Sequence, residues 1–212
     1  MDEKRGVRMS VKIYPVQETE LRHDAYQVKI NGKPVVLDTA RVSAIPYNRR
    51  WPGHQRPLDQ TELVNFLSLE ADEPVTFEIT PKDPFEMVTI RPQSLNLKPA
   101  VSQDGTIAVT LNEPAYFTVE PYGRRNALHI FVDPMPSYQI QRQNENTIYF
   151  GAGIHEAGEI TLKSHQTLFL EEGAVVYGCV KAMDVENIRI CGRGILDNSH
   201  NKEKILYEVN AQ

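Results

Sequence analysis

The 212-residue sequence lacks long apolar runs and clusters of basic residues, and each absence argues against a class of function. No apolar stretch approaches the roughly 18 residues that a membrane-spanning helix needs. The formal net charge is −5, and no group of lysines and arginines provides the positive patch that nucleic-acid-binding proteins use. The sequence therefore predicts neither a membrane nor a nucleic-acid partner.

Cysteine is scarce, which bears on metal binding and on redox chemistry. Cys179 and Cys191 are the two cysteines, and no pair of histidines lies at metal-ligand spacing near them. They are interpreted as small buried apolar side chains rather than as zinc ligands. No cofactor and no metal site is predicted.

The amino terminus lacks the apolar core of a signal peptide. Residues Met1 to Arg8 are mostly polar and lead into an alternating segment. This predicts a cytoplasmic location for the sequence as it stands, or a secreted protein if a leader has been removed.

The sequence does contain a repeat of about 20 residues between Thr147 and Leu196. Each copy has a short alternating strand, a turn and a second apolar pair, and the strands start at Thr147, Thr167 and Asn187. The apolar residues after the turns are Ile154, Val175–Val176 and Ile195–Leu196. One strand and turn of this size cannot bury its own apolar face, so the copies are predicted to stack as coils of parallel β-structure.

The first 135 residues show a different pattern, typical of a two-sheet antiparallel sandwich. Asn31-Gly32 separates two alternating runs, which is a strong hairpin signal because both residues tolerate positive φ. Five further short strands are predicted, separated by turns that contain proline or glycine: 75–79, 87–90, 107–111, 116–119 and 128–132. The predicted fold class is all-β, with a β-sandwich domain at 1–135, a proline-bearing linker at 136–146 and the start of a right-handed parallel β-helix at 147–212.

The segments around these repeats carry a family resemblance. Ile148 to His155, Glu159 to Gly178 and Asn187 to Asp197 resemble the entry to the right-handed parallel β-helix of polygalacturonase-type glycoside hydrolases, family 28. They are also similar to the related dextranase and isopullulanase group, family 49, in which an N-terminal β-sandwich precedes the helix. The resemblance implies a polysaccharide or oligosaccharide substrate and hydrolysis of O-glycosidic bonds.

The resemblance supplies no catalytic residue. Family 28 enzymes carry an Asn-Thr-Asp segment, an Asp-Asp pair, a Gly-His-Gly segment and an Arg-Ile-Lys segment in later coils, and this sequence contains none of the four. The chain is therefore expected to correspond to an N-terminal portion of such an enzyme, with an incomplete β-helix and no activity of its own.

The chemistry leads to the same expectation without the family. Glycoside hydrolysis generally needs two carboxyl groups about 5–5.5 Å apart for retention or about 6.5–9.5 Å apart for inversion. Six residues are candidates for such a role, and their positions predict mainly turn or loop residues: Glu171, Glu172, Asp184, Glu186, Asp197 and His155. No catalytic residue is assigned.

One loop in the sandwich region is chemically richer than its surroundings. Residues 48–62 contain the single tryptophan, Trp51, together with Arg50, His54 and Arg56. An aromatic ring beside bidentate donors suits contact with a glycan. The same group suits a domain interface through cation–π contacts, and both alternatives remain open.

Three functions fit the sequence. The chain is part of a polysaccharide-acting glycoside hydrolase, or it is a non-catalytic carbohydrate-binding or assembly module, or it belongs to a β-helical polysaccharide lyase. The third is weakened because no aspartate-rich cluster for calcium is present. The open end of a short β-helix also predicts self-association or marginal stability.

Overall fold

The structure, a computed structural model, is built from β-strands. It describes residues 11–14, 21–44, 58–135, 140, 144–198, 200 and 208–211. In these ranges the helical elements are two single turns of 3-10 helix, Leu58–Gln60 and Gln93–Leu95. Within the same ranges, no helix is long and apolar enough to cross a membrane. The all-β fold class is confirmed.

The chain forms two compact units. The described residues of the first are 11–13, 21–40 and 63–135, and those of the second include 14, 41–44, 58–62 and 144–198. The predicted linker at 136–146 falls largely outside the described residues.

The first unit contains two β-sheets that share one apolar core. The strands are β1 (Val11–Ile13), β2 (Tyr26–Ile30), β3 (Lys33–Val35), β4 (Asp38–Ser43), β5 (Thr61–Ala71), β6 (Val75–Pro81), β7 (Thr89–Arg91), β8 (Ala100–Val101), β9 (Ile107–Leu111), β10 (Tyr116–Arg124) and β11 (Leu128–Asp133). One sheet has the order β3-β2-β6-β9-β8, and the other has the order β1-β5-β11-β10-β7 with β4 also paired to β5. Phe77 from the first sheet meets Phe117 from the second in an edge-to-face contact, with ring centroids 5.6 Å apart.

The predicted hairpin is confirmed. Asn31 and Gly32 adopt φ values of 48° and 78°, and β2 pairs with β3 in antiparallel register. These two left-handed residues give the turn the twist that its flanking strands need.

The antiparallel prediction is wrong at one strand pair of the sandwich. Strand β11 runs parallel to β5, with His129 to Asp133 opposite Phe66 to Glu70. A tight turn forces neighbouring strands to run antiparallel, but more than 50 residues separate β5 from β11, so this constraint does not apply.

A buried carboxylate in this unit gives a first stability prediction. Glu120 is 6% exposed and accepts hydrogen bonds from Arg91 Nε at 3.0 Å and Thr118 Oγ1 at 2.8 Å. Arg91→Met leaves this carboxylate without its cationic partner, so we expect the free energy of unfolding to fall by about 2 kcal/mol. Chemical denaturation measures the change.

The matched control for this variant is Lys82→Met. Lys82 forms an ion pair of 3.1 Å with Asp24 in which both side chains are mostly exposed. Its loss should cost less than about 0.5 kcal/mol. If both variants lowered the free energy of unfolding equally, the buried Glu120 would not make its ion pair stronger than the exposed one.

The second unit is a stack of parallel strands. Its strands are β12 (Thr147–Phe150), β13 (Gly153–Thr161), β14 (Thr167–Leu170), β15 (Ala174–Val185), β16 (Arg189–Gly192), β17 (Ile195–Asp197) and β18 (Glu208–Ala211). One sheet has the order β12-β14-β16, and the other has the order β13-β15-β17 with β18 also paired to β15. All of these pairs are parallel, as predicted from the repeat.

The 20-residue interval is correct from β12 to β14 but wrong for the third strand of that sheet. Thr147 pairs with Thr167, whereas Thr167 pairs with Arg189 and not with Asn187. Asp184, near the end of β15, and Asn187, in the turn that follows, both have left-handed φ values of 54°. Thr161 pairs with Lys181, and from these two residues the chain takes six residues to reach Thr167 but eight to reach Arg189, so Asn187 lies before β16 rather than in it.

Candidate functional site

The stacking of β13, β15 and β17 places three side chains in one row on the second unit. Glu156 pairs with Tyr177, and Tyr177 pairs with Asp197. The adjacent row, one residue earlier in each strand, contains Val176 and Leu196, which belong to the apolar core of this unit. Because side chains alternate between the two faces of a strand, the row of Glu156, Tyr177 and Asp197 points outward.

His200 completes this group of side chains. Its Nδ1 lies 3.0 Å from Glu156 Oε1 and 3.2 Å from Oε2, and its ring stacks on Tyr177 with centroids 3.6 Å apart and planes 6° apart. We call Glu156, Tyr177, Asp197 and His200 the outer ladder. The His200 and Glu156 side chains are 52% and 67% exposed, so the polar end of the outer ladder faces water.

The outer ladder combines a flat aromatic stack with carboxylate oxygens on either side of it. Tyr177 and His200 supply ring surface on which an apolar face of a ligand can lie, and Glu156 and Asp197 supply hydrogen-bond acceptors. A sugar ring presents both kinds of surface, a face of C–H groups and an edge of hydroxyl groups. The arrangement is therefore suited to binding a saccharide.

The same geometry is less suited to hydrolysis. A general acid is normally kept protonated by an apolar pocket, whereas Glu156 is two-thirds exposed to water. These carboxylates can accept hydrogen bonds from the hydroxyl groups of a ligand.

Two of the carboxylates considered in the sequence, Glu171 and Glu172, lie between β14 and β15. Glu171 accepts a hydrogen bond from the Tyr149 hydroxyl, and its backbone C=O accepts one from Ala174 N–H at 3.0 Å. Glu171 and Glu172 are half-buried rather than fully solvated. Both follow β14 directly, and Glu171 fixes the turn that leads into β15.

The second acidic pair, Asp184 and Glu186, also has a structural role. Glu186 lies 3.5 Å from His165 Nε2, and the backbone N–H of His165 donates to the Glu186 carbonyl at 2.9 Å. Asp184 has a left-handed backbone at the end of β15. These contacts tie the turn of one coil to the turn of the next.

His155 is a packing residue. Its Nε2 lies 2.7 Å from the Gly151 carbonyl oxygen, and its ring meets Phe150 edge-on at 5.2 Å. It belongs to the inward row with Val176 and Leu196, as its pairing shows. Arg50, Trp51, His54 and Arg56 lie outside the described residues, so their glycan-contact or interface role remains a prediction.

Sequence reasoning missed three of the four members of the outer ladder: Glu156, Tyr177 and His200. Glu156, Tyr177 and Asp197 each lie two residues after the first apolar residue that follows a turn, at Ile154, Val175 and Ile195. Aligning the copies on those residues rather than on the preceding strands would have revealed the row. The prediction of a turn at Asp197 is wrong, because Asp197 is the last residue of β17.

Metal binding finds no support in the described part of the chain, where no group of three or more potential ligands is close enough to hold an ion. The two cysteines are free, with Cys179 buried and Cys191 half-buried. Desolvation raises the pKa of the Cys191 thiol, which favours the neutral form.

Three comparisons with known proteins show what the chain is similar to. No family model matches the chain, and no curated protein matches its sequence. Among solved structures, the chain is similar to Dex49A from Penicillium minioluteum, with 18% sequence identity and a TM-score of 0.60. The match covers 92% of this chain and 51% of that one, so the chain spans about half the length of the structure it matches. The chain thus shares the fold of the matching part of that structure.

Proposed function

We propose that this chain is part of a polysaccharide-acting glycoside hydrolase and that its outer ladder binds the glycan. The observation that carries the proposal is the alignment of Glu156, Tyr177 and Asp197 on three successive strands, with His200 stacked on the tyrosine. The similarity of fold to Dex49A, a β-helix dextranase of family 49, gives a reason to test a glycan before other ligands.

Catalysis is assigned to residues outside this chain. The sequence contains none of the aspartate motifs of family 28, and the outer-ladder carboxylates lack the environment of an acid pair. We therefore expect the purified chain to bind polysaccharide without releasing reducing ends. An assay of reducing ends against dextran and polygalacturonate checks this, and steady release by the chain alone would contradict the assignment.

Tyr177 provides the mutational test of binding. Tyr177→Ala removes the ring beneath His200, and we expect about a tenfold weaker affinity for oligosaccharide, equivalent to about 1.4 kcal/mol. Isothermal titration calorimetry with a panel of oligosaccharides measures the change. Tyr177→Phe keeps the ring and should retain affinity within about twofold.

A second control separates binding from packing. Phe169 lies on the other sheet of the same unit, where it stacks on Tyr149 at 6.0 Å. Phe169→Ala also removes a half-buried aromatic ring, yet it should leave affinity unchanged. Equal losses of affinity in both alanine variants, each accompanied by a lower melting temperature, would indicate packing and contradict the binding role of Tyr177.

The alternative function is a non-catalytic carbohydrate-binding module. The two-thirds exposure of Glu156 favours it, because a general acid is normally kept protonated by an apolar pocket. The two functions are separated by the activity of the longest natural protein that contains this chain. Hydrolysis by that protein supports the first function, and binding without hydrolysis supports the second.

A further inference from the structure

A cleft in the first unit has the size of a ligand site. It encloses about 530 Å³ and lies between the segment that follows β6, residues 82–88, and the turn between β8 and β9, residues 101–105. Ligand pockets generally have volumes of about 300–1,000 Å³, with an apolar lining and a few placed polar groups. The size of the cleft is in this range.

The apolar part of the cleft is open to water. Met87 is 74% exposed and Val101 is 51% exposed, while Phe85 packs against the core and forms a half-buried part of the wall. The position of a Cβ atom on Gly105 would lie 3.9 Å from Phe85 Cε1, so the turn rests against this ring. Met87 is flexible and polarizable, which suits contact with an irregular apolar face.

Internal hydrogen bonds hold both walls of the cleft. The Tyr122 hydroxyl accepts from Asp83 N–H at 3.0 Å and donates to the Asp83 carbonyl at 2.6 Å. On the other wall, Thr106 N–H donates to Ser102 Oγ at 3.1 Å, and Gly105 N–H donates to the Ser102 carbonyl at 3.1 Å. A ligand would therefore meet formed walls and would not bear the entropic cost of ordering them.

The charge of the rim selects among ligands. The cleft is lined by three carboxylates, those of Asp83, Glu86 and Asp104, and by one ammonium group, that of Lys82, which leaves a net charge of −2. Hydrogen bonds from Ser102 and then from Thr106 hold the pKa of Asp104 below its usual range, so it stays charged near neutral pH. Carboxylates accept hydrogen bonds from hydroxyl groups and repel acidic sugars.

We propose that this cleft binds a neutral saccharide at a second site, separate from the outer ladder. Phe85, Met87 and Val101 contact the apolar face of the sugar, and the carboxylates and Gln103 at the rim bind its hydroxyl groups. This second site rests on the proposed function only in its choice of a saccharide as ligand. Its lining residues belong wholly to the first unit.

The test is a titration of the isotope-labelled chain followed by amide chemical shifts. Isomaltohexaose and cellohexaose serve as neutral probes, and hexagalacturonate serves as the acidic counterpart. We expect at least one neutral probe to shift amides at 82–88 and 101–105, with the acidic probe at least tenfold weaker. Met87→Ala should weaken the response at these amides about fivefold, whereas Met87→Leu should stay within about twofold.

The outcomes separate this site from the proposed function. Tyr177→Ala should leave the response of the cleft unchanged. Shifts at Glu156, Tyr177 and Asp197 without shifts at the cleft would overturn the second site and leave the proposed function standing. Shifts at the cleft alone would support the second site and contradict the outer ladder. No response at the cleft to any neutral probe, equal affinity for hexagalacturonate, or an unaltered response in Met87→Ala would each overturn the second site.

Discussion

Gly192→Ala is expected to lower the free energy of unfolding of the second unit by about 3 kcal/mol or more. Gly192 has φ +126°, and a Cβ atom built on it would lie 1.9 Å from the Leu170 carbonyl oxygen. That carbonyl belongs to the backbone of β14, which pairs with β16 at this position. The strand therefore has to move away from its neighbour, and the parallel pairing at the end of β16 is lost.

Amide hydrogen exchange measures this effect where it should occur. Protection should fall in β14 and β16 and remain in the first unit. Gly158→Ala is the matched control in the same unit, because Gly158 also has positive φ, at +62°, but nothing lies within 4 Å of its added methyl group. It should cost about 1–2 kcal/mol through backbone strain alone. A Gly192 variant as stable as the Gly158 variant would contradict the register of β14 and β16.

Phe77→Ala is expected to destabilise the first unit by about 4 kcal/mol. The Phe77 side chain is 0% exposed in the core between the two sheets, and it meets Phe117 edge-on. Its truncation removes buried apolar surface and leaves a cavity that the surrounding strands cannot fully close. Equilibrium denaturation monitored through probes in the first unit measures the loss.

Phe131→Ala is the control for Phe77. Phe131 is 37% exposed on the outer face of β11, where its ring contacts Tyr116 at 5.6 Å. We expect Phe131→Ala to lower the free energy of unfolding by about 1 kcal/mol. The partly exposed Phe131 ring buries less apolar surface than that of Phe77, and its removal leaves no closed cavity. If the two variants lost the same stability, Phe77 would not lie in a sealed core between the sheets.

Local signals in the sequence were sufficient to predict much of the sandwich. Asn31-Gly32 determines its hairpin because few other residue pairs accept two positive φ angles. Strand β9 was predicted with the bounds it has, since its alternation is uninterrupted. The 11-residue strand β5 was missed because the buried polar residues Asn65 and Glu70 interrupt its apolar pattern.

Those polar residues depend on contacts that the sequence does not reveal. Asn65 Nδ2 donates to the His23 carbonyl at 2.7 Å, and Asn65 Oδ1 accepts from Ala25 N–H at 3.3 Å. The partners lie about 40 residues away in the chain, so a local window cannot anticipate that this amide is tolerated in the core.

The candidate site was harder to predict than the stack that holds it. The repeat predicted parallel coils, but the row that contains Tyr177 depends on how many residues each turn consumes. Between Glu156 and Gly158 the register shifts by one residue, so Glu156 pairs across an interval of 21 and Gly158 across 20. His200 lies after β17, outside any periodic segment, and reaches the row through a tertiary contact that no spacing indicates.

Cross-strand nuclear Overhauser contacts around Tyr177 test the stacked arrangement most directly. In a labelled sample of the chain, the backbone protons of Tyr177 should show contacts to those of Glu156 on one side and Asp197 on the other, in the amide-to-α pattern of parallel strands. Contacts between α-protons across the strands, typical of antiparallel pairs, or contacts from Tyr177 to other partners would contradict both the stack and the outer ladder built on it.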